Sequence, residues 1–121
     1  MKKLVIAGLG LVLCAGLAGV LVAADKPADK SVSGTLEDSF CYSSMGAKGP
    51  GHKVCAVECT KKGAPISLVE NGTNKIYVLL PASNNQPFSD DLFAKMEDQV
   101  TVTGKEYSKG GVNFLTTESV K

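Results

Sequence analysis

An uninterrupted apolar stretch at the start of the chain decides how much of it remains to fold. Two lysines precede the run 4–22, which carries no charge, and two alanines close the segment at Ala24. Positive charge, an apolar stretch and small residues, in that order, are typical of a secretory signal peptide. We therefore predict a signal peptide over residues 1–24, cleaved after Ala24, and a mature chain that is periplasmic or secreted.

Two other interpretations of this segment stay open. The apolar run is close to the ~20 residues that span a bilayer, so an uncleaved anchor is one alternative. A lipoprotein attached at Cys14 is the other, although the bulky Leu13 directly before that cysteine suits lipoprotein processing badly. With cleavage after Ala24, we expect no membrane span in the mature form.

The mature chain is small and nearly neutral. Cleavage leaves 97 of the 121 residues, which is enough for one small domain. The 13 basic residues, all lysine, face 12 acidic ones, and loss of the two lysines of the signal leaves 11 against 12. Nucleic-acid binding normally needs a basic excess and often arginine. We therefore expect no nucleic-acid partner, and we expect a monomer.

Short apolar runs separated by turn residues fill the mature chain. Residues 25–30 are polar, contain a proline and are predicted to be a disordered linker, so that the folded domain covers residues 31–121. A first strand is predicted at 32–36. Cys41 to Gly51 is rich in glycine and serine and is predicted to be a loop. A helix is predicted over 52–62, ended by Gly63 and Pro65.

Two hairpins and a short helix follow. Asn71 and Gly72 lie between the apolar runs 65–70 and 75–80, which predicts a hairpin. Ser89 is placed to cap a short helix, and residues 100–107 and 112–120 form a second hairpin around two glycines. Five strands with a helix between the third and fourth predict a mainly β oligonucleotide/oligosaccharide-binding (OB) barrel. The Cys-bearing helix is an insertion after strand 1. A five-stranded open sheet with packed helices is the alternative.

One cluster of residues carries the chemistry of the chain. In a helix, His52, Cys55 and Cys59 fall at i, i+3 and i+7, along one face. Cys41, at the end of the loop that follows the first strand, is expected to fold back onto that face. Three thiolates and one imidazole suit tetrahedral Zn(II), and soft thiolates also suit Cu(I). The spacing is not that of a zinc finger, a zinc ribbon or a haem-attachment site.

A structural disulfide is the main alternative to a metal site. The mature chain keeps three cysteines, an odd number for a compartment that oxidises thiols. Two cysteines four apart on one helix do not easily reach disulfide geometry, so Cys41 is expected to pair with Cys55 or with Cys59. A third alternative is a reactive thiol, with Cys55 as the attacking group near the start of the helix.

Side chains near the cluster in sequence are candidates to assist the metal ligands, but they do not form a complete catalytic set. Glu37, Asp38 and Glu58 are candidates to orient His52 from outside the ligand shell. Met45 is a candidate thioether ligand for Cu(I), with loop packing as its other interpretation. No G-x-S-x-G motif, phosphate loop or paired-carboxylate site is visible, so we predict that the chain is not an enzyme.

Three segments carry a resemblance to a family. The runs G-T-L-E-D-S-F-C-Y (34–42), H-K-V-C-A-V-E-C-T-K-K-G-A-P-I (52–66) and V-T-V-T-G-K (100–105) resemble small exported bacterial proteins of unknown function. These proteins share a C…H-x-x-C-A-x-x-C-x-x-x-G-x-P motif, and the resemblance covers about residues 34–120. It implies an OB-like domain with a distinctive Cys/His motif. The matching positions here are Cys41, His52, Cys55 and Cys59.

The sequence thus predicts an exported, non-enzymatic binding module. Its cluster binds Zn or Cu(I), or forms a structural disulfide beside a surface for a small ligand. A thiol–disulfide or metal-transfer protein is the second hypothesis, and a structural envelope protein is the third.

Overall fold

The computed structural model describes residues 27–121, so the predicted signal peptide lies outside the described residues. The described chain is mainly β. Its strands are β1 (Asp29–Asp38), β2 (Ile66–Glu70), β3 (Ile76–Pro81), β4 (Gln99–Lys109), β5 (Val112–Thr117) and β6 (Ser119–Val120). Its α-helices are α1 (Ser39–Met45), α2 (Lys53–Lys61) and α3 (Asp90–Ala94), and a 3₁₀ turn covers Pro50–His52.

Five strands close into a barrel because β1 pairs on both of its edges. Residues 34–38 of β1 pair with β2, and residues 29–35 pair with β4. The sheet order is β1-β2-β3-β5-β4, with the β1–β4 pairing closing the ring and β3 parallel to β5. The short β6 extends the edge beside β4. This arrangement confirms the predicted five-stranded OB-like barrel with a helix between the third and fourth strands.

Gly34 lies where β1 passes from one partner strand to the other. It is opposite Glu70 on β2 and Val100 on β4 at the same time. A Cβ at this position would lie 2.1 Å from the carbonyl oxygen of Val69, which is far inside van der Waals contact. Glycine is therefore required here by the close approach of two backbones.

The barrel interior is filled by alternate residues of the strands and sealed by the helices. Leu36, Leu68 and Leu115 are fully buried, as expected for strands that turn every second side chain inward. Ala56 of α2 and Met96, after α3, are also fully buried and join this core. The helices of the inserted segment are thus packed on the barrel.

Two predicted boundaries are wrong. The linker was predicted to reach residue 30, but Asp29 and Lys30 belong to β1, because the backbone there pairs with Lys105 and Gly104. The part of the linker at residues 25–26 lies outside the described residues. The predicted first strand, 32–36, is longer at both ends, because its start pairs with β4 and its end, Glu37 and Asp38, pairs with β2.

The segment predicted as a loop from Cys41 to Gly51 contains a helix. The carboxylate of Asp38 accepts hydrogen bonds from the backbone N–H groups of Phe40 and Cys41, which caps α1 at its start. Gly46 ends α1 with a left-handed backbone, at φ 67°. Serine and aromatic residues are weak helix formers, so these two ends, rather than propensity, define α1. Together α1 and α2 bring the Cys-bearing segment back toward the end of β1.

The predicted helix over 52–62 is confirmed with small shifts. The 3₁₀ turn at Pro50–His52 leads into α2, and Gly63 follows with φ 107°. Ser89 caps α3 by accepting a hydrogen bond from the backbone N–H of Leu92. Among residues 27–121, no helix has the length and apolar character needed to cross a membrane.

Candidate metal centre

Three of the four predicted ligands meet at one point beside the barrel. Cys41 lies on α1, His52 ends the 3₁₀ turn, and Cys55 lies in the first turn of α2. One ligand atom from each of the three lies within 4.8 Å of the others. The three residues are therefore close enough to hold one metal ion.

Cys59 lies next to this group without belonging to it. Its Sγ is 3.8 Å from the Sγ of Cys55, one helical turn earlier on α2. The spacing along α2 places the two thiols on one face, as predicted. Cys59 is thus the one further thiol of residues 27–121, and it lies next to the three-residue group. We refer to Cys41, His52, Cys55 and Cys59 as the Cys/His cluster.

The imidazole of His52 is oriented by a buried carboxylate. Its Nδ1 lies 2.8 Å from Oε1 of Glu97, whose side chain is fully buried. The other ring nitrogen, Nε2, is buried and has no hydrogen-bond partner among the described residues. When Nδ1 carries the proton, its N–H donates a hydrogen bond to Oε1 of Glu97. Nε2 is then unprotonated, and its lone pair is available to a metal ion. This is the tautomer that a carboxylate fixes in metal-binding histidines.

Glu97 is itself fixed from several directions. Its Oε2 accepts a hydrogen bond of 2.6 Å from the backbone N–H of Gly49, just before the 3₁₀ turn. Its own backbone N–H donates to the carbonyl of Leu36 on β1, at 2.7 Å. Glu97 has a left-handed backbone, with φ 66°, in the turn between α3 and β4. The barrel therefore determines where this carboxylate points.

A second buried carboxyl group lies beside Glu97. Burial and then the adjacent Glu97 carboxylate raise the pKa of Glu37 to about 8. Two carboxylates in contact do not both ionise easily, and a proton on Glu37 lets that group donate a hydrogen bond to Glu97. Oε2 of Glu37 is buried and has no hydrogen-bond partner among the described residues. A chain of contacts thus runs from Glu37 through Glu97 to His52.

Cys41 lies against another buried acid. Asp38 caps α1 with Oδ1, while its Oδ2 is buried and has no conventional partner in the described chain. Burial, and then the neighbouring side chain of Asp38, raise the pKa of the Cys41 thiol to about 11. Without an ion, this thiol keeps its proton at neutral pH. A bound metal ion would displace that proton, because thiols ligate as thiolates.

The cluster is buried on one side and open on the other. Cys41 is buried, the His52 side chain is nearly so, and Cys55 is exposed. The neighbouring thiol of Cys55, and then burial, raise the pKa of Cys59, while the lysine at position 62 acts in the opposite direction. An ion held here would be anchored from the barrel side and reachable from solvent at Cys55.

The structure corrects the predicted supporting carboxylates. Glu97, which was not among the predicted residues, orients His52, whereas Asp38 lies against Cys41 and Glu37 against Glu97. Glu58 is exposed and makes no hydrogen bond to His52 in the described chain. Glu97 is 45 residues from His52, and no local pattern marks it. The one nearby sequence signal was the short helix predicted after Ser89, because Glu97 follows that helix in the chain.

The three cysteines of the described chain are unbridged. The Sγ atoms of Cys55 and Cys59, at 3.8 Å, are well beyond the ~2.05 Å of a disulfide bond. The predicted pairings of Cys41 with Cys55 or with Cys59 remain predictions.

A separate concave surface lies on the barrel. This cleft of about 310 Å³ is lined by β3, β4, β5 and the loop after β3, including Leu80, Asn84, Tyr107 and Thr116. It shares no residue with the Cys/His cluster and contains no charged side chain. It is large enough for a small ligand, since ligand clefts begin at roughly 300 Å³.

Comparisons of the chain with protein-family models, with curated proteins and with solved structures gave no significant match. The resemblance to small exported bacterial proteins therefore remains a prediction.

Proposed function

We propose that this chain is an exported, non-enzymatic metal-binding module. Cys41, His52 and Cys55 hold one ion, Zn(II) or Cu(I), and Cys59 completes the set. The observation that carries the proposal is the buried Nε2 of His52, which has no partner among the described residues while Nδ1 is held by Glu97.

A histidine with only a packing role would not be expected to leave a buried ring nitrogen without a hydrogen bond. Leaving a buried polar atom without a hydrogen bond costs about 1–3 kcal/mol. Here the surrounding structure nevertheless fixes the ring, through the 2.8 Å contact with Glu97, so that Nε2 stays free. Two thiols lie within 4.8 Å of the imidazole group. A metal ion satisfies the nitrogen and both sulfurs together.

The donor set favours ions that accept nitrogen and sulfur. Three cysteines and one histidine are a common tetrahedral set for Zn(II), and a carboxylate behind the histidine frequently accompanies such sites. Thiolates also bind Cu(I), which accepts two or three of them. The oxygen-rich coordination of Mg²⁺ or Ca²⁺ is not offered, because the buried carboxylates contact the ligands rather than the ion's position.

Metal content of the anaerobically purified mature protein tests the proposal. We expect about one equivalent of Zn or Cu per chain, with three fewer reactive thiols in the loaded protein than in the protein after acid removal of the ion. His52→Ala and Cys41→Ser should each bind the ion much more weakly and be purified with well under one equivalent. Ile76→Ser, on the barrel surface, is the control and should keep it. A folded wild-type protein with no bound ion under Zn(II) or Cu(I) titration would contradict the proposal.

A second candidate function is thiol–disulfide exchange. It is favoured by the exposure of Cys55 and by the sulfur of Cys41, which lies within 4.8 Å of the Cys55 sulfur and belongs to a different helix. In that case Cys55 attacks an incoming disulfide, and Cys41 resolves the mixed disulfide, leaving a Cys41–Cys55 bond. Incubation with oxidised glutathione, followed by intact mass, would show a loss of two hydrogens in the wild type. Cys41→Ser would stop at the glutathione adduct.

The same thiol count distinguishes the structural alternative. If mature protein isolated from its compartment has one thiol and one disulfide that resists mild reduction, the cluster serves as a structural disulfide and not as a metal site. The metal proposal instead requires three thiols that become reactive once the ion is removed.

A further inference from the structure

A small polar pocket lies between the barrel and the inserted segment. It has a volume of about 150 Å³ and is formed by β1, β2, the turn after β2, α1 and the loop that follows α1. It shares no lining residue with the Cys/His cluster or with the larger cleft. Most of its lining side chains are polar, among them Thr35, Glu37, Tyr42, Lys48, Glu70 and Asn71. We call this site the polar pocket.

The alternation of side chains along β1 explains how an acid comes to lie in this pocket. Val32 and Leu36 belong to the barrel core, so Thr35 and Glu37 lie on the outer face of the strand. An acid on the outer face of a barrel is normally solvated, but Glu37 is only 3% exposed. The inserted segment therefore encloses a carboxyl group that would otherwise face water.

The protein alone does not satisfy Glu37. Its Oε2 is buried and has no hydrogen-bond partner among residues 27–121. A proton between Glu37 and Glu97 makes one hydrogen bond, whereas a carboxyl group offers several acceptor positions. A buried acceptor without a donor costs free energy, because it has lost its water and gained nothing in return. An N–H donor from a ligand in the polar pocket would supply the missing hydrogen bond.

The charges around the polar pocket are of both signs. Glu70 is a partly buried acid, and one of its oxygens accepts a hydrogen bond from Thr73. Lys48 is exposed and belongs to none of the ion pairs within the described part of the chain. Burial raises the pKa of Glu37, whereas the charge of Lys48 acts in the opposite direction, so this ammonium group lies within electrostatic reach of Glu37.

This combination selects against ligands with a single charge. A simple anion would meet Glu70 and Glu37, and a simple cation would meet the ammonium group of Lys48. A molecule that carries one charge of each sign can place its ammonium group toward the acids and its carboxylate toward the lysine. Opposite charges that also form hydrogen bonds are the stronger class of polar contact.

We propose that the polar pocket binds the ammonium and carboxylate groups of a small free α-amino acid. The ammonium group donates hydrogen bonds to Glu37 and Glu70, and the carboxylate accepts them from Lys48 and Tyr42. The volume of about 150 Å³ corresponds to about five water molecules at roughly 30 Å³ each, and glycine has a similar number of non-hydrogen atoms. This site does not depend on the proposed metal function.

Nuclear magnetic resonance titration of the metal-free mature protein tests the proposal. Three probes separate the charges: glycine carries both, methylamine carries only the ammonium group, and acetate carries only the carboxylate. We expect glycine to shift the backbone amide signals of Glu37, Lys48 and Asn71. It should bind about tenfold more tightly than either of the other two probes, because only glycine satisfies both ends of the pocket.

Variants assign each end of the ligand. Lys48→Met should weaken glycine binding about tenfold and remove its advantage over methylamine. Glu37→Gln should remove its advantage over acetate. Lys48 is exposed, so its variant should fold normally and serves if Glu37→Gln folds poorly. Lys109→Met and Glu118→Gln are the matched controls, because each removes an exposed charge outside the pocket and should leave glycine affinity unchanged.

Three results would overturn the proposal. Glycine at several times a millimolar dissociation constant may leave every signal of the pocket unmoved. Methylamine or acetate may bind as tightly as glycine, which would make the pocket a site for a single charge. Finally, shifts seen only in the metal-loaded protein would mean that glycine binds the ion at the Cys/His cluster. Since the test uses metal-free protein, a chain that never loads an ion refutes the metal function and leaves the polar pocket standing.

Discussion

Nδ1 of His52 and Oε1 of Glu97 lie 2.8 Å apart, although 45 residues separate them in the chain. One residue belongs to the inserted segment and the other to the turn before the fourth barrel strand. The ligand segment and the barrel therefore contribute jointly to one site. The following predictions test this coupling and the features that surround it.

Replacing Glu97 by Gln should weaken metal binding and leave the fold intact. The amide keeps the shape of the carboxyl group but lowers its power to hold the proton on Nδ1 and to raise the basicity of Nε2. Loss of such a supporting group typically costs 10–100-fold in metal affinity. The dissociation constant, measured by competition with a chelating indicator, should rise within that range.

The neighbouring residue provides the control for Glu97. Asp98→Asn removes a carboxylate that pairs with Lys53 at 2.6 Å on the surface and does not contact the histidine. Exposed pairs contribute at most about 1 kcal/mol to stability, so its metal affinity should stay close to that of the wild type. Equal losses in both variants would mean that general charge near the site, and not the contact with His52, is responsible.

Stability without metal should fall as pH rises from about 5 to 8, through Glu37. Its pKa in the folded protein is raised to about 8, above the value near 4.5 that the unfolded chain has. Between these values the unfolded state releases the proton and the folded state retains it, so unfolding becomes more favourable with increasing pH. Below pH 4.5 Glu37 is protonated in both the folded and the unfolded state, so stability no longer depends on pH through this group.

Glu37→Gln isolates this contribution. The variant lacks the titrating group, so its free energy of unfolding relative to the wild type should increase steadily between pH 5 and 8, by on the order of a few kcal/mol. Urea unfolding of the metal-free proteins at several pH values measures the difference. A difference that does not change with pH would contradict the assigned protonation of Glu37.

Metal affinity should increase with pH, partly because of Cys41. Burial and Asp38 raise the pKa of this thiol to about 11, so the metal-free protein holds its proton throughout the neutral range. Binding must release that proton, and each proton released steepens affinity by about tenfold per pH unit. Dissociation constants between pH 6 and 9 should therefore fall as pH rises.

Cys41→Ser checks this assignment. Its residual binding should release one proton fewer, as measured by titration in two buffers of different ionisation enthalpy. Unchanged proton release in the variant would remove Cys41 from the ligand set.

Gly34→Ala should destabilise the barrel strongly. The added methyl group would lie 2.1 Å from the carbonyl oxygen of Val69 on β2. The strand β2 cannot move away without losing its pairing with β1. Overpacking of this kind costs about 3 kcal/mol. Gly51→Ala, where no atom lies within 4 Å of the new methyl group, is the matched control and should stay near wild-type stability in urea unfolding.

The sequence was sufficient for the barrel because the signals were local. Asn71 and Gly72, the glycine pair after β4 and the serine that caps α3 each define a turn or an end within a few residues. The helix α1 was missed because the segment from Cys41 is rich in glycine and serine and was predicted to be a loop, and its own residues have low helix propensity. The strand β1 was predicted too short, since polar residues 29–31 are held by pairing with β4 rather than by their own preference.

The site was predictable only in part, for a related reason. The helical spacing of Cys55 and Cys59 is a local property, and α2 confirms it, whereas His52 lies in the 3₁₀ turn that precedes this helix. The approach of Cys41 depends on α1 turning the chain back, and the position of Glu97 depends on closure of the barrel. Contacts between residues 45 apart arise from tertiary structure, which periodicity cannot report.

Leu36 accepts a hydrogen bond from the backbone of Glu97 and donates one to the carbonyl of Asp98. Through it, the strand that joins the two edges of the barrel also sets the position of the carboxylate behind the histidine. An excised peptide covering the helices would carry every proposed ligand and yet lack this support. Chains whose barrel has not closed would therefore bind the ion weakly. The fraction of chains that hold an ion would then measure the fraction in which the barrel has formed.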